Sequence, residues 1–323
     1  GGWMHDLGGW MNTVNGSSEP VSDHVGRAAV LRRLELDVVR RLDGRVTGEH
    51  HTTDYGPGSE RAGAREYQPG DDARLIDWNL TARSHVTHVR VTEADRELET
   101  WVVADRSGSL DFGTQLREKR DVVLGTAAAF GVLTARAGNR FGVLTCGGTR
   151  LHSRPAATGR RAMLGALATL YDTPRAEGPP HAGADLATAL AALRQVQPRR
   201  GQVVVVSDFL DSSHWQRSLR QLALRQQVIA VHVTDPRELE LPSIGMLGVV
   251  DPESGRTVHV HTGSARLRQR YAEAAHRRHH QIVSAIHASG AEYLHVSTDR
   301  DWLTDVVAFA TGRRRPRAVG VRR

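Results

Sequence analysis

The sequence predicts an α/β fold: a doubly wound, mostly parallel sheet with helices on both faces, an N-terminal extension and an inserted β-hairpin. Three observations carry this reading. Apolar, largely β-branched runs at 101–104, 202–206 and 228–233 have the character of strands buried on both faces. Helix-period segments alternate with such runs over most of the chain. Two of the runs end on a carboxylate, Asp105 and Asp208, and in open α/β sheets ligands bind beyond the carboxyl ends of the strands.

Taken in order, residues 1–26 are rich in Gly, Ser and Asn and predict a disordered tail. Residues 27–42 carry an apolar helical stripe (Val30, Leu31, Leu34, Val38, Leu42), with Gly44 as its stop. Residues 43–65 read as loop, and the adjacent His50 and His51 are poorly spaced for a shared metal and read as solvated. The denser segment 63–83, GAREYQPGDDARLIDWNLTAR, turns at Pro69-Gly70-Asp71-Asp72. It predicts a structural corner in which Asp72 or Asp77 holds Arg65, Arg74 or Arg83 and Trp78 is the anchor; the rival is a partner surface. Residues 88–93 read as a strand leading toward 101–104.

Beyond that strand, helices are expected at 116–137, 158–171, 185–196 and 214–226, and strands at 140–146, 149–153, 202–206 and 228–233. Two runs, 246–250 and 257–261, flank the turn-rich D-P-E-S-G and predict the inserted hairpin. A long polar helix at 265–289, a strand at 293–296 and a helix at 302–310 complete the pattern. His276, His279 and His280 share helical spacing, but Arg277 and Arg278 among them would repel a cation, so a solvated face is expected. The implied division is a tail at 1–26, an extension at 27–97, the sheet domain at 98–312 and a basic tail at 313–323.

Composition is that of an ordinary soluble protein, 39% hydrophobic and 24% charged, and no apolar run is long enough to span a bilayer. The first residues lack the basic and apolar regions of a secretory signal. The single cysteine, Cys146, rules out an internal disulfide and fits a reducing, cytoplasmic setting as a buried thiol. The formal charge of +7 invites a nucleic-acid reading, but the arginines are scattered and cluster only in the tail. Of 43 basic residues Lys119 is the only lysine, a bias expected to reflect codon composition.

The chemistry resides in Asp105-Arg106-Ser107-Gly108-Ser109. A carboxylate and two hydroxyls in one tight loop suit a hard cation such as Mg²⁺, or else simply satisfy backbone N–H groups at a strand-to-helix turn. There is no P-loop, no dinucleotide fingerprint, no H-E-x-x-H, no G-x-S-x-G elbow and no paired Cys/His spacing for zinc. Asp208 joins the loop if its strand neighbours that of Asp105.

The run R-E-Y-Q-P-G-D-D-A-R-L-I-D-W-N-L-T-A-R at 65–83 resembles the hallmark of the bacterial "domain of unknown function 58" family. S-D-F-L-D at 207–211, V-T-D-P-R-E-L-E-L-P-S-I-G at 233–245, D-P-E-S-G at 251–255 and T-D-R-D-W-L at 298–303 agree, over about residues 27–312. The motif residues are Arg65, Tyr67, Gly70, Asp71, Asp72, Asp77, Trp78 and Arg83. The resemblance implies a von Willebrand factor A-like domain working with MoxR-type AAA+ ATPases as an adaptor or chaperone-like partner of client proteins. It also implies a metal-ion-dependent adhesion site, with Mg²⁺ held by Asp105, Ser107, Ser109 and Asp208. The position of its threonine ligand falls on Ala184, which offers no oxygen; Asp185 or a water is the expected substitute.

The functional expectation is therefore a non-enzymatic interaction protein. One rival is an Mg²⁺-dependent hydrolase using Asp105, Ser107 and Asp208, which lacks an evident base for Ser107. The other is nucleic-acid binding through arginines, which lacks a recognition module.

Overall fold

The computed structural model describes residues 20–46, 63–68, 73, 76–84, 86–91, 98–113, 117–175, 184–197, 200–250 and 257–310. His50, His51, Gly70, Asp71, Asp72, the D-P-E-S-G turn and the basic tail lie outside them.

The first helix, α1 (Pro20–Val46), starts before the expected Arg27 and runs through Gly44. Its Leu31, Val38 and Leu42 are buried in the main core, and Arg160 grips Glu35 through two 2.6 Å bonds. Packing of this face outweighs the glycine's low helix propensity. α1 is thus a layer of the sheet domain, although it lies in the stretch read as an extension.

Next come β1 (Gly63–Glu66), α2 (Trp78–Ser84) and β2 (His88–Val91). β1 and β2 pair antiparallel with Arg65 opposite Val89, and Ile76 bridges to Val89. The corner is held by backbone, Tyr67 N–H to the Thr87 carbonyl and Asp77 N–H to the His88 carbonyl, both 2.8 Å, and by buried Val89. Asp77 caps α2, its Oδ1 accepting from the N–H groups of Asn79 and Leu80. Trp78, expected as the anchor, is instead 70% exposed, and Arg83 sits exposed in the last turn. As the first residue of a helix that buries nothing, Trp78 has no core to enter.

The main sheet contains β3 (Glu99–Asp105), β4 (Arg140–Cys146), β5 (His152–Thr158), β6 (Gln202–Ser207) and β7 (Gln227–Thr234). After a separate hairpin, β8 (Met246–Val250) with β9 (Thr257–His261), the chain adds β10 (Glu292–Ser297). The spatial order is β10-β7-β6-β3-β4-β5, parallel except for β5. β5 was expected at 149–153; it lies further on as an edge strand with Pro155 inside it and only Ala156 buried, so apolar patterning does not mark it.

Side chains alternate across the strands, as a two-residue period requires. Val102, Ala104, Val204 and Val206 face α1, α3 (Lys119–Arg136), α4 (Arg160–Tyr171) and α9 (Trp302–Ala310). Trp101, Val103, Val203 and Val205 face α5 (Leu186–Val196), α6 (Trp215–Ala223) and α8 (Ala265–Ser289). α3 is buried almost all round, and a Cβ on Gly125 would lie 2.2 Å from the Trp302 ring, so only glycine lets α9 sit there. Between β7 and β8 lies α7 (Pro236–Leu239), a single turn. Among the described residues no helix is long and apolar enough to cross a membrane.

Candidate functional site

Numbered from β3, the sheet order is that of a doubly wound sheet whose direction of winding reverses between β3 and β6. Asp105 ends β3 and Asp208 follows β6, so the expected convergence occurs at this switch point. Both carboxylates and Ser107 are buried, while Ser109 is partly exposed.

Asp105 is fully engaged. Its Oδ1 accepts from the Ser107 N–H at 2.9 Å and its Oδ2 from the Ser207 hydroxyl at 2.6 Å. Burial, then the nearby Asp208 charge, pushes its pKa up to about 6. The β4–β5 turn closes over it: a Cβ on Gly147, at φ +87°, would lie 2.6 Å from Asp105 Oδ1. The hydroxyls of Ser107 and Ser109 are 3.1 Å apart. Phe209, next to Asp208, adopts φ +55°, unfavourable for a side-chain-bearing residue, and its ring packs on Trp215 with centroids 4.8 Å apart.

The principal partner of Asp208 is Lys119, the only lysine of the chain, which is fully buried. Lys119 Nζ donates to Asp208 Oδ2 at 2.7 Å and also to Glu238 Oε1. Burial works against the Lys119 ammonium, but the two carboxylates outweigh it and raise its pKa. Burial likewise opposes ionisation of Asp208, yet Lys119, the Ser109 hydroxyl and the Leu210 N–H hold its carboxyl below the usual range.

Two helix ends fix this geometry. Lys119 is the first residue of α3, directly after the N-cap Glu118 of the Glu118–Asp121 capping box, which also explains why α3 starts later than residue 116. Glu238 belongs to the Asp235–Glu238 capping box of α7, and Asp235 in turn accepts from Thr298 at 2.6 Å. Sequence reasoning assigned Lys119 no role in the site; its isolation among arginines was the only hint. Glu238 carried no such signal, because its role depends on how α7 folds back.

The donors expected for Mg²⁺ do not fit a divalent cation. Ala184 is buried and gives its position no side-chain oxygen. Asp185, the expected substitute, caps α5 instead, accepting from the Thr188 N–H at 2.7 Å. Asp105 is spent on Ser107 and Ser207, and Asp208 on an ammonium. Among the described residues no group of three or more His, Cys, Asp or Glu side chains is arranged to hold a metal ion.

Above the cluster opens a cleft of about 930 Å³ between the sheet end, the β8–β9 hairpin and α8. Ser109, Asp208 and Glu238 lie on its floor, and Phe112, Ile244 and Tyr271 are exposed apolar lining residues. His232 of β7 and His279 of α8 also line it, their rings stacked with centroids 5.1 Å apart, and His295 of β10, behind them, bonds the lining residue Thr234 at 2.8 Å. His279 is thus drawn inward, contrary to the solvated face expected for it, whereas His276 and His280 are exposed. Burial, then neighbouring cationic groups, depresses His232 to about 3 and His295 to about 4. Cys146 is buried, and its thiol is pushed up by desolvation, making it inert.

The family described as "Protein of unknown function DUF58" matches residues 63–281. The uncharacterized protein Rv1480 of Mycobacterium tuberculosis is 45% identical over 293 residues, covering 91% of this chain and 92% of the relative. A second uncharacterized protein, from Mycobacterium avium, is 43% identical over 166 residues, 51% of this chain and 96% of the relative. Among solved structures, a conserved hypothetical protein BatB from Bacteroides thetaiotaomicron overlaps 67% of this chain and 98% of its own, with TM-score 0.42 and 12% identity. The SpRpn10 VWA domain overlaps 66% of this chain and 94% of its own, with TM-score 0.38 and 13% identity. With a family match spanning more than half its length and a relative 45% identical over nine-tenths of it, the chain belongs to the DUF58 family.

Proposed function

We propose that this protein is a non-enzymatic interaction module that docks a protein partner in the cleft at the carboxyl end of its sheet. The observation that carries the reading is that cleft, about 930 Å³, with Phe112, Ile244 and Tyr271 left exposed along it. Exposed apolar side chains around a concave site are the signature of a surface awaiting a partner. The proposed partner is a MoxR-type AAA+ ATPase, with the pair acting in chaperone-like assembly or maturation of client proteins.

The hydrolase alternative is disfavoured by access. Ser107 is buried and does not line the cleft, so a substrate entering there meets Ser109 and Asp208 first. Nucleic-acid binding is disfavoured by arginine usage. Arg120, Arg136, Arg140, Arg160 and Arg175 are each engaged by a carboxylate.

The test is binding of a purified MoxR-type ATPase from the same genome, measured by biolayer interferometry. The triple variant Phe112→Ser, Ile244→Asp, Tyr271→Ala should bind at least about tenfold more weakly while melting normally. Unchanged binding would move the contact elsewhere.

A further inference from the structure

We propose that the Lys119 ammonium is the resident cation of the sheet-end cluster and that Glu238 is its internal carboxylate ligand, so that the cluster is complete without a divalent metal. The place is the one where a doubly wound sheet presents its ligands, the carboxyl ends of β3 and β6 at the winding reversal. Lys119 Nζ stands there with no exposure to solvent, 2.7 Å from Asp208 Oδ2 and bonded to Glu238 Oε1.

The surrounding donors are matched to an ammonium rather than to a hard divalent ion. Mg²⁺ demands near-octahedral oxygen coordination. Here Ala184 supplies none, Asp185 is turned to its helix, and both Asp105 oxygens already accept hydrogen bonds. An ammonium needs only acceptors in the directions of its three N–H groups, and two carboxylates provide the principal ones.

Charge gives the same result. Asp208 and Glu238 already share one positive charge, and adding a divalent ion beside an immobile ammonium would set like charges together in a site of low dielectric. Helix caps hold both partners: Lys119 opens α3 inside the Glu118–Asp121 box, and Glu238 closes the box of α7. Glu238 is the only one of the two carboxylates on a surface element that reaches the cleft with a quarter of its side chain exposed, 25% against 2% for Asp208. All other Lys/Arg positions of this chain are arginine, and its one lysine stands where a compact, single-centred cation meets two carboxylates.

The experiment is titration of the full chain with Mn²⁺ near neutral pH, reading free Mn²⁺ by electron paramagnetic resonance, with parallel thermal melts. Wild type should show no stoichiometric uptake at millimolar Mn²⁺ and no shift in melting. Lys119→Met should melt about 10 °C lower, and Mn²⁺ should restore part of that loss by bridging Asp208 and Glu238. Saturable one-to-one uptake by wild type that disappears in Asp208→Asn would overturn the proposal. So would a folded Lys119→Met protein whose melting responds to Mn²⁺ no more than wild type. The wild-type titration is decisive even where the variant does not fold.

Discussion

The D-x-S-x-S loop and the R-E-Y-Q-P-G-D-D segment are the two most distinctive stretches of the sequence, and the fold treats them in opposite ways. The first reads as an open ligand site and is filled from within: Asp105, Ser107 and Asp208 are buried, each carboxylate is bonded, and a lysine occupies the centre beneath the cleft. The second reads as an internal clasp, and its described part exposes Trp78, Leu80 and Tyr67. Polar residues at a strand end are drawn inside because the sheet's own helices close around them. A tryptophan at the first turn of a short helix with no buried residue stays at the surface. Whether a motif binds outward or inward is set by the layer above it, and the motif itself does not specify that layer.

The sharpest way to break this comparison is to unbalance the region filled from within. Asp208→Ala leaves Lys119 buried with one carboxylate fewer and should cost about 3–5 kcal/mol in urea unfolding at neutral pH. A cost below about 1 kcal/mol would mean the cluster is solvated and the contrast false.

Next in size is acid sensitivity. His295 has its pKa depressed to about 4, so the native state binds fewer protons than the unfolded chain below the ordinary histidine range. Its contribution is present above about pH 6.5 and is lost as pH falls toward 4, worth about 3 kcal/mol at the acid end. His295→Gln should flatten the fall in stability over that window by this amount. Asp105, raised to about 6, acts with the opposite sign: its buried carboxyl favours the native state at low pH and loses that contribution as pH rises through 6. Asp105→Asn should therefore steepen the acid loss, and a variant pair with identical pH profiles would contradict both assignments.

The smallest expected effect is at the exposed region. Trp78→Ala should change stability by no more than about 0.5 kcal/mol, because a surface indole outside any core contributes little. A clear drop in melting temperature would restore the clasp.

Much of the fold was legible. The hairpin β8–β9 and helices α8 and α9 lie where their turns and periodicities place them, and the buried valines of β6 mark the sheet centre unambiguously. Boundaries failed where a cap or a tertiary contact decides: α1 passes through Gly44 because its far face is packed, and α6 stops at Ala223, short of the expected residue 226. Within the site, Asp105 and Asp208 were legible because a strand end is a local feature. Lys119 and Glu238 were not, because they reach the cluster from two helix starts that lie 119 residues apart in sequence. The inward turn of His279 was hidden for the same reason: its partners, His232 and His295, sit on strands whose neighbours are set by topology.

The most direct test uses the fact that this chain has one lysine. With ¹⁵N-labelled lysine, the side-chain ammonium should give a single resonance, slow to exchange with water at neutral pH and unmoved by millimolar Mg²⁺. A resonance lost to rapid exchange, or one that shifts as Mg²⁺ is added, would contradict a buried, internally supplied cation.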